Sequence, residues 1–154
     1  MLQIKTYLAP DRFGGTGLFA DEDVSQGQLT LRYCTEYTRY IPVSDYFQAS
    51  AEERIFYDTY TYPHFEPEAS EPLIGVMLNL DNARYSNHSE NPSAGLDPLD
   101  DNLCIALRAI KRGEEITCNY HEFDPDNILY KMGVRSSKDF LLNPDNPHYI
   151  GRKS

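Results

Sequence analysis

Short apolar stretches separated by polar turns run along most of the chain. Loose alternation at 4–8 predicts an opening strand that stops at Pro10 and Asp11. Residues 28–40, rich in Thr, Tyr and Leu, predict one or two further strands, and the apolar run 103–107 predicts a strand in the interior. Many short strands with few long helices indicate a β-rich α+β fold.

A helix signal and several turn signals interrupt this strand pattern. Residues 50–53 read Ser-Ala-Glu-Glu, the spacing of a capping box, and predict a short helix that ends before Pro63. Residues 61–72 contain three prolines and three glutamates, which predicts a loop. Residues 111–114 predict a turn, and residues 116–120 predict the strand that follows it.

Length and charge limit the classes of partner. A chain of 154 residues can bury about two-thirds of its surface, enough for a complete core. Residues 40–107 hold two basic and twelve acidic side chains and so carry the whole net charge of −10. This balance disfavours direct nucleic-acid binding and favours a basic, Lys/Arg-rich peptide as partner. An alternative remains open, in which the acidic residues only confer solubility.

Membrane and metal signals are missing from the sequence. No apolar run is long enough to span a bilayer and the N-terminus has no signal-peptide pattern, so we expect a cytoplasmic protein without a membrane partner. The three cysteines are far apart and form no CxxC pair. We therefore expect no metal site and interpret the cysteines as reduced, buried, small hydrophobic residues.

Three polar motifs stand out, and each has an ordinary structural interpretation when taken alone. Residues 15–20 match G-x-G-x-x-A, but no amphipathic helix follows, so a glycine hairpin is the better interpretation than a dinucleotide site. The Asn-His-Ser sequence at 87–89 fits a structural turn. Residues 113–120 read as a turn and a strand that ends in a tyrosine, whose hydroxyl normally bonds to a backbone carbonyl.

Taken together and in order, these segments resemble the SET-domain protein-lysine N-methyltransferases, most closely the small stand-alone bacterial or viral type. The matching family patterns are GxGxFA, E-Y-x-G-E, R-F-x-N-H-S-C-x-P-N and G-E-E-L-T-x-D-Y. They correspond to residues 15–20, 31–36, 84–93 and 113–120.

Besides conservative exchanges, the chain departs from these patterns at five positions. Arg32 and Thr35 replace the family's Glu and Gly, Glu90 replaces its Cys, Ser93 replaces its Asn, and Asn119 replaces its Asp. These replacements leave a second hypothesis open, a catalytically silent SET-like module that binds basic peptides.

The resemblance implies a fold and a domain organisation. The expected fold is a set of several short β-sheets with a pseudoknot and few short helices. Residues 1–124 would form the SET domain, with a variable insert at 43–75. Residues 125–154 would be a C-terminal extension that acts in place of the family's cysteine-rich tail.

The resemblance also implies roles for individual residues. Tyr120 and Tyr33 would be the catalytic residues, and Tyr33 would also line the lysine channel. The other expected channel residues are Cys118 and Phe123. S-adenosylmethionine would be the cofactor, held by Gly15, Thr16, Gly17, Arg84, Tyr85, Asn87 and His88.

The implied activity is transfer of a methyl group to a lysine side chain in a basic protein or peptide. Methyl transfer to an amine is an in-line displacement, so positioning is most of the catalytic task. Retention of Asn87, His88 and Tyr120 favours the enzyme over the silent module. No oligomeric state is implied.

Overall fold

A computed structural model describes residues 1–65 and 73–122. The elements in chain order are β1 (Thr6–Pro10), β2 (Thr16–Ala20), β3 (Leu29–Arg32), β4 (Thr38–Pro42), α1 (Val43–Gln48), α2 (Ala51–Tyr60), β5 (Thr61–Phe65), β6 (Leu73–Asn79), β7 (Asn87–His88), β8 (Ala94–Asp97), β9 (Asp100–Ala106) and β10 (Thr117–Cys118). Short 3₁₀ helices lie at Thr35–Tyr37, Asn82–Tyr85 and Tyr120–Glu122. The described part of the chain is therefore strand-rich with several small sheets, as the sequence predicts.

The chain divides into two compact units. The first unit consists of Met1–Arg39 and Asn79–Glu122. It contains the antiparallel pair β1-β2, the antiparallel sheet β3-β9-β8 and the parallel pair β7-β10. These sheets surround one cluster of buried side chains, made by Ile4, Leu18, Ala20, Val24, Ala94, Ala106, Ile110 and Ile116.

The second unit, within the described residues, is built on Tyr40–Leu78. Its sheet has the strand order β4-β6-β5, and α1 and α2 belong to the same unit. A separate buried cluster holds it together, made by Ile41, Tyr46, Val76 and Leu78. This unit overlaps the predicted insert at 43–75, whereas the predicted extension at 125–154 lies outside the described residues.

The capping box predicted at 50–53 is present at the start of α2. The Ser50 hydroxyl accepts the backbone N–H of Glu53 at 3.2 Å, and the Glu53 carboxylate accepts the backbone N–H of Ser50 at 2.8 Å. These contacts satisfy two donors that a helix start leaves unpaired. The helix ends at Tyr60, so the prediction of a short helix before Pro63 is confirmed.

The loop predicted at 61–72 is wrong over its first five residues. Thr61–Phe65 forms β5, which pairs antiparallel with β6 and brings Pro63 opposite Val76. Proline is tolerated because β5 lies at the edge of its sheet. An edge strand has a neighbour on one side only, so the missing N–H of Pro63 leaves no hydrogen bond to a second neighbouring strand unmade. Residues 66–72 lie outside the described residues.

Two other strands differ in extent from the prediction. The opening strand begins at Thr6 and includes Pro10, because it pairs with β2 across a turn that contains Gly14 at φ +83°. The strand predicted at 116–120 shrinks to Thr117–Cys118, since the chain enters a 3₁₀ helix at Tyr120. The interior strand predicted at 103–107 is confirmed as the central strand β9.

Two further features bear on the sequence predictions. Over the described ranges, the longest helices are too short and too polar to cross a bilayer. All three cysteines are free thiols, and each is half-buried, whereas the sequence predicted buried residues.

Candidate functional site

The site is organised around a parallel pairing of two very short strands. In this pair Asn87 lies opposite Thr117 and His88 lies opposite Cys118. Two flanking bonds extend the pairing: the Ser86 hydroxyl donates to the Ile116 carbonyl at 3.1 Å, and the Ser89 N–H donates to the Cys118 carbonyl at 3.0 Å. The Asn-His-Ser motif and the tyrosine-ending motif therefore lie side by side.

The glycine motif joins the same assembly from the other side. Residues 114–116 run beside β2, where the Ala20 N–H donates to the Glu114 carbonyl at 2.9 Å and the Ile116 N–H donates to the Leu18 carbonyl at 2.7 Å. An antiparallel bridge pairs Phe19 with Glu115. One chain segment, 114–118, thus connects all three sequence motifs.

The glycine turn is ordered by Asp11. Its Oδ1 accepts the backbone N–H of Phe13 and of Gly15, each at 2.8 Å, which is the pattern of an aspartate that closes a turn. Gly15 and Thr16 are exposed, whereas Gly17 is buried. The main chain of this turn is therefore both fixed and open to a ligand.

Two carboxylates lie against Asn87 and the buried glycine. The Asn87 Nδ2 donates to Asp11 Oδ2 at 2.9 Å and to Glu115 Oε1 at 2.8 Å. A Cβ atom on Gly17 would stand 2.7 Å from Glu115 Oε1, a distance that real side chains do not reach. A side chain at this position would therefore displace the Glu115 carboxylate from its contact with Asn87.

The contacts of His88 assign its protonation. Its Nδ1 accepts the backbone N–H of Tyr120 at 3.0 Å, so a neutral ring carries its proton on Nε2. That nitrogen lies 3.0 Å from Glu90 Oε1 and donates to it. Because Glu90 accepts this bond, the pKa of its carboxyl is lowered.

His88, Glu90 and His121 form a candidate cation site by distance alone, since one ligand atom from each lies within 4.8 Å of the others. The assigned tautomer argues against it. One His88 nitrogen uses its lone pair on Tyr120 N–H and the other carries a proton, so neither can donate to a metal ion. Within the cluster, Glu90 orients His88 by a hydrogen bond, and the His121 ring packs edge-on against the His88 ring.

Tyr120 is held at both ends. Its N–H donates to His88, and its hydroxyl donates to the Ser86 carbonyl at 2.9 Å. Its ring packs against the His88 ring, with 5.2 Å between centroids. The ordinary interpretation of this tyrosine, a hydroxyl on a backbone carbonyl, is therefore present in the structure together with the proximity to Asn87 and His88 that the resemblance implies.

Other predicted site residues have different surroundings. The Arg84 Nη1 donates to the Leu80 and Asp81 carbonyls at 2.9 Å and 3.4 Å, and Tyr85 packs against the buried cluster of the first unit. Tyr33 is 38% exposed, so it lies at the surface of the first unit. The roles predicted for all three stay predictions.

Two of the predicted channel residues remain. Cys118 is half-buried in β10, directly before Asn119 and Tyr120, so it lies in the assembly. Phe123 lies outside the described residues.

In the first unit, burial raises the pKa of the Cys104 thiol to about 12, with further contributions from Cys118 and Glu122. This thiol therefore stays protonated and unreactive.

Sequence reasoning missed Asp11, Glu115 and Glu90 as parts of the site. The only local signal was an aspartate four residues before Gly15, the spacing that closes a turn. The contact between Asp11 and Asn87 spans 76 positions and has no local signature.

Comparisons with known proteins identify the family and the fold. The sequence model of the SET domain family matches residues 15–121. Human Histone-lysine N-methyltransferase 2D is 28% identical over 131 residues, which cover 82% of this chain and 2% of the relative. The H3 lysine-36 specific histone-lysine N-methyltransferase of Debaryomyces hansenii is 28% identical over 147 residues, which cover 91% of this chain and 18% of the relative. The chain thus spans a small part of the length of these relatives.

Solved structures share the fold. The Neurospora SET domain protein DIM-5, a histone lysine methyltransferase, matches with a TM-score of 0.54 and 19% identity, covering 77% of this chain and 53% of that one. A chain of ctPRC2 in an autoinhibited conformation, bound to S-adenosylmethionine, matches with a TM-score of 0.58 and 20% identity, covering 84% of this chain and 17% of that one.

Proposed function

The chain belongs to the SET-domain family, and from this premise we propose that it transfers a methyl group from S-adenosylmethionine to the side-chain amine of a lysine in a protein substrate. The observation that carries the proposal is the parallel pairing of β7 with β10. It brings Asn87 and His88 beside the segment that ends in Tyr120, and these are the residues retained from the family's two most specific motifs.

The residues around the glycine turn fit the cofactor. Gly15 and Thr16 are exposed, so a zwitterionic ligand can reach this turn, and a side chain at Gly17 would displace the Glu115 carboxylate. The Asn87 amide and the carboxylates of Asp11 and Glu115 supply oxygen atoms beside that turn. Acceptor-rich surroundings suit a ligand that carries an ammonium and a sulfonium group.

When bound, the cofactor supplies a methyl group on a positively charged sulfur. The remaining task of the protein is to hold a neutral amine in line with it. Because the pKa of a lysine amine in water is about 10.4, only on the order of one lysine in a thousand is neutral at pH 7. Desolvation in a channel lowers the pKa of the amine and raises this fraction.

Tyr120 is the residue best suited to orient the amine. Its hydroxyl gives its proton to the Ser86 carbonyl, so towards an amine its oxygen acts as an acceptor. His88 fixes the main chain of Tyr120, which keeps the ring in one place. An acceptor in this position binds an amine N–H and stabilises the positive charge that develops on nitrogen.

The substrate class follows from charge. A net charge of −10 lies entirely within residues 40–107 and favours a basic, lysine-containing segment. The relatives described above are named for histone lysines, and a histone-like basic protein is accordingly the first substrate class to test. The identity of the target lysine is left to the experiment.

The test has two readouts. Calorimetry of the purified chain with S-adenosylmethionine measures cofactor binding, and mass spectrometry measures methyl transfer to an array of basic peptides. Each peptide has a matched control in which every lysine is replaced by arginine, which keeps its charge and removes the acceptor. Asn87→Ala is the variant expected to weaken cofactor binding.

The outcomes separate the alternatives. Cofactor binding with transfer to lysine-containing peptides, and none to the arginine controls, supports the proposal. Cofactor or peptide binding without transfer identifies the silent binding module. A wild-type protein that neither binds the cofactor nor transfers a methyl group contradicts the proposed function.

A further inference from the structure

Asp11 contacts two parts of the site with its two carboxylate oxygens. Oδ1 accepts the N–H groups of Phe13 and Gly15, which orders the glycine turn. Oδ2 accepts the Asn87 Nδ2 at 2.9 Å. A single side chain therefore ties the turn that follows β1 to the start of β7, although 76 positions separate them in sequence.

The second contact determines which way the Asn87 amide points. Nδ2 donates one proton to the Asp11 carboxylate and the other to the Glu115 carboxylate, the latter at 2.8 Å. The reversed amide would bring its oxygen against two negative charges, which is strongly unfavourable. The amide oxygen is consequently turned away from both carboxylates, and no donor among residues 1–65 and 73–122 bonds to it.

We propose that Asp11 is a positioning residue for cofactor binding, which fixes the Asn87 amide so that its oxygen meets a hydrogen-bond donor of the cofactor. This inference rests on the proposed function. In S-adenosylmethionine the donor with matching charge is the ammonium of the methionine part. The adenosine part carries no such cation, so the effect of Asp11 is confined to the amino-acid end of the ligand.

Asp11→Asn tests the proposal because it separates the two roles of the side chain. The new Oδ1 still accepts the N–H groups of Phe13 and Gly15, so the turn is kept. The new amide nitrogen faces Asn87 Nδ2 as a second donor, so only Glu115 still favours the original orientation of the Asn87 amide and the reversed orientation becomes accessible. Asp100→Asn is the matched control, since Asp100 Oδ1 accepts the N–H of Asn102 at 3.0 Å at the exposed start of β9, outside the site.

Two ligands are titrated into the wild type and both variants by calorimetry. S-adenosylmethionine has the amino-acid part, whereas 5′-methylthioadenosine lacks it. We expect Asp11→Asn to weaken S-adenosylmethionine about tenfold, the effect of one misplaced hydrogen bond, and to leave 5′-methylthioadenosine within about twofold. Asp100→Asn is expected to leave both affinities unchanged.

A readout without ligand supports the assignment. In nuclear magnetic resonance spectra, Asp11→Asn should shift the side-chain amide signals of Asn87 and leave the backbone amides of Phe13 and Gly15 nearly in place. The thermal midpoint of the folded chain is measured in parallel to exclude general unfolding.

Equal losses for both ligands would mean that Asp11 only holds the turn, and they would overturn the proposal. Unchanged S-adenosylmethionine affinity in Asp11→Asn would overturn it as well. If the wild type fails to bind S-adenosylmethionine, the proposed function itself fails. That result is distinguishable because it appears before any variant is compared.

Discussion

At the scale of single residues, Tyr120 combines a structural contact with a proposed catalytic role. Its hydroxyl donates to the Ser86 carbonyl, as a partly buried tyrosine is expected to do. The same contact prepares its oxygen to accept a hydrogen bond. A substitution that keeps the ring and removes the hydroxyl distinguishes the two contributions, because stability and turnover are measured separately.

Tyr120→Phe is expected to reduce kcat by on the order of a hundredfold or more, because a positioned polar group in a closed site is lost. The free energy of unfolding should fall by only about 1 kcal/mol, the value of one hydrogen bond. S-adenosylmethionine affinity should stay near wild type, since the contacts of Asn87 and the glycine turn are unchanged. Steady-state kinetics, urea unfolding and calorimetry measure the three quantities.

The control for this variant is Tyr37→Phe. Tyr37 belongs to the same unit and is 42% exposed. Removal of its hydroxyl should therefore leave turnover unchanged. If Tyr120→Phe stays folded and keeps full turnover, Tyr120 is structural and the silent binding module becomes the better hypothesis.

Glu90 provides a second prediction at this scale. Its carboxylate accepts the Nε2 proton of His88, and His88 in turn accepts the N–H of Tyr120. Glu90→Leu should reduce kcat by about threefold to tenfold while cofactor affinity is kept, because His88 loses one of its two orienting bonds. Glu90→Gln retains an acceptor oxygen and should keep turnover near wild type.

Nitrogen chemical shifts of the His88 ring provide the check. The wild type should show the tautomer with its proton on Nε2, and this population should fall in Glu90→Leu. Identical kcat values in the two Glu90 variants would show that the contact does not position Tyr120.

The sequence predicted which motif residues lie together. It did not predict the carboxylates that hold them in place. Asn87, His88 and Tyr120 have recognisable motif positions, and the structure brings them together. Only the structure identifies Asp11 and Glu115 as parts of the site, because a contact between a carboxylate and an amide far away in sequence produces no pattern in the sequence.

At the scale of elements, local signals predicted local structure. The capping box of α2 is a contact between neighbours in sequence, so it could be predicted from four residues. Strand β5 could not, because Pro63 normally argues against a strand and only its position at a sheet edge permits it.

Asp58 of α2 makes the stability of the second unit depend on pH. The Tyr46 hydroxyl donates to the Asp58 carboxylate, and burial raises the pKa of both groups. The bond from Tyr46 and the charge of Arg54 lower the pKa of Asp58 and oppose this shift only in part. The folded state therefore binds the Asp58 proton more tightly than the unfolded state does.

The sign of the effect follows from linkage. The stability that Asp58 contributes is fully present below its unfolded pKa, about 3.9, and is lost as the pH rises through its higher folded pKa. Relative to Asp58→Asn, the wild type should accordingly lose free energy of unfolding as the pH rises from 4 to 7. Urea unfolding at four pH values measures this difference.

Asp45→Asn, at an exposed position on α1, is the control for a general charge effect. A wild type that instead gains stability over Asp58→Asn with rising pH would contradict the assignment of a raised pKa to Asp58.

At the scale of the whole molecule, the uneven charge makes a prediction about substrate binding. All net charge lies within residues 40–107, a span that includes Glu66 and Glu68, two acidic residues outside the described ranges. Replacing both with lysine should raise KM for a basic peptide, and added salt should shrink the difference. Cofactor affinity should not change.

The control for location is the double replacement of Asp139 and Asp145 by lysine, which changes the net charge by the same amount elsewhere in the chain. Equal KM values in the two variants at low salt would show that only total charge matters.

The cytoplasmic location expected from sequence stays a prediction, as do the domain boundaries at 124 and 125.

The parallel pairing of β7 with β10 has a consequence for how the protein is made. Ser86 and Ile116 are 30 positions apart, so the contact between their segments needs closure of a long loop before two very short strands can hold it. During synthesis, the site can therefore form only after the segment that ends in Tyr120 has left the ribosome. In refolding, the helical signal of α2 should return first and ligand affinity last. Recovered affinity is thus a stringent measure of correct folding for this chain.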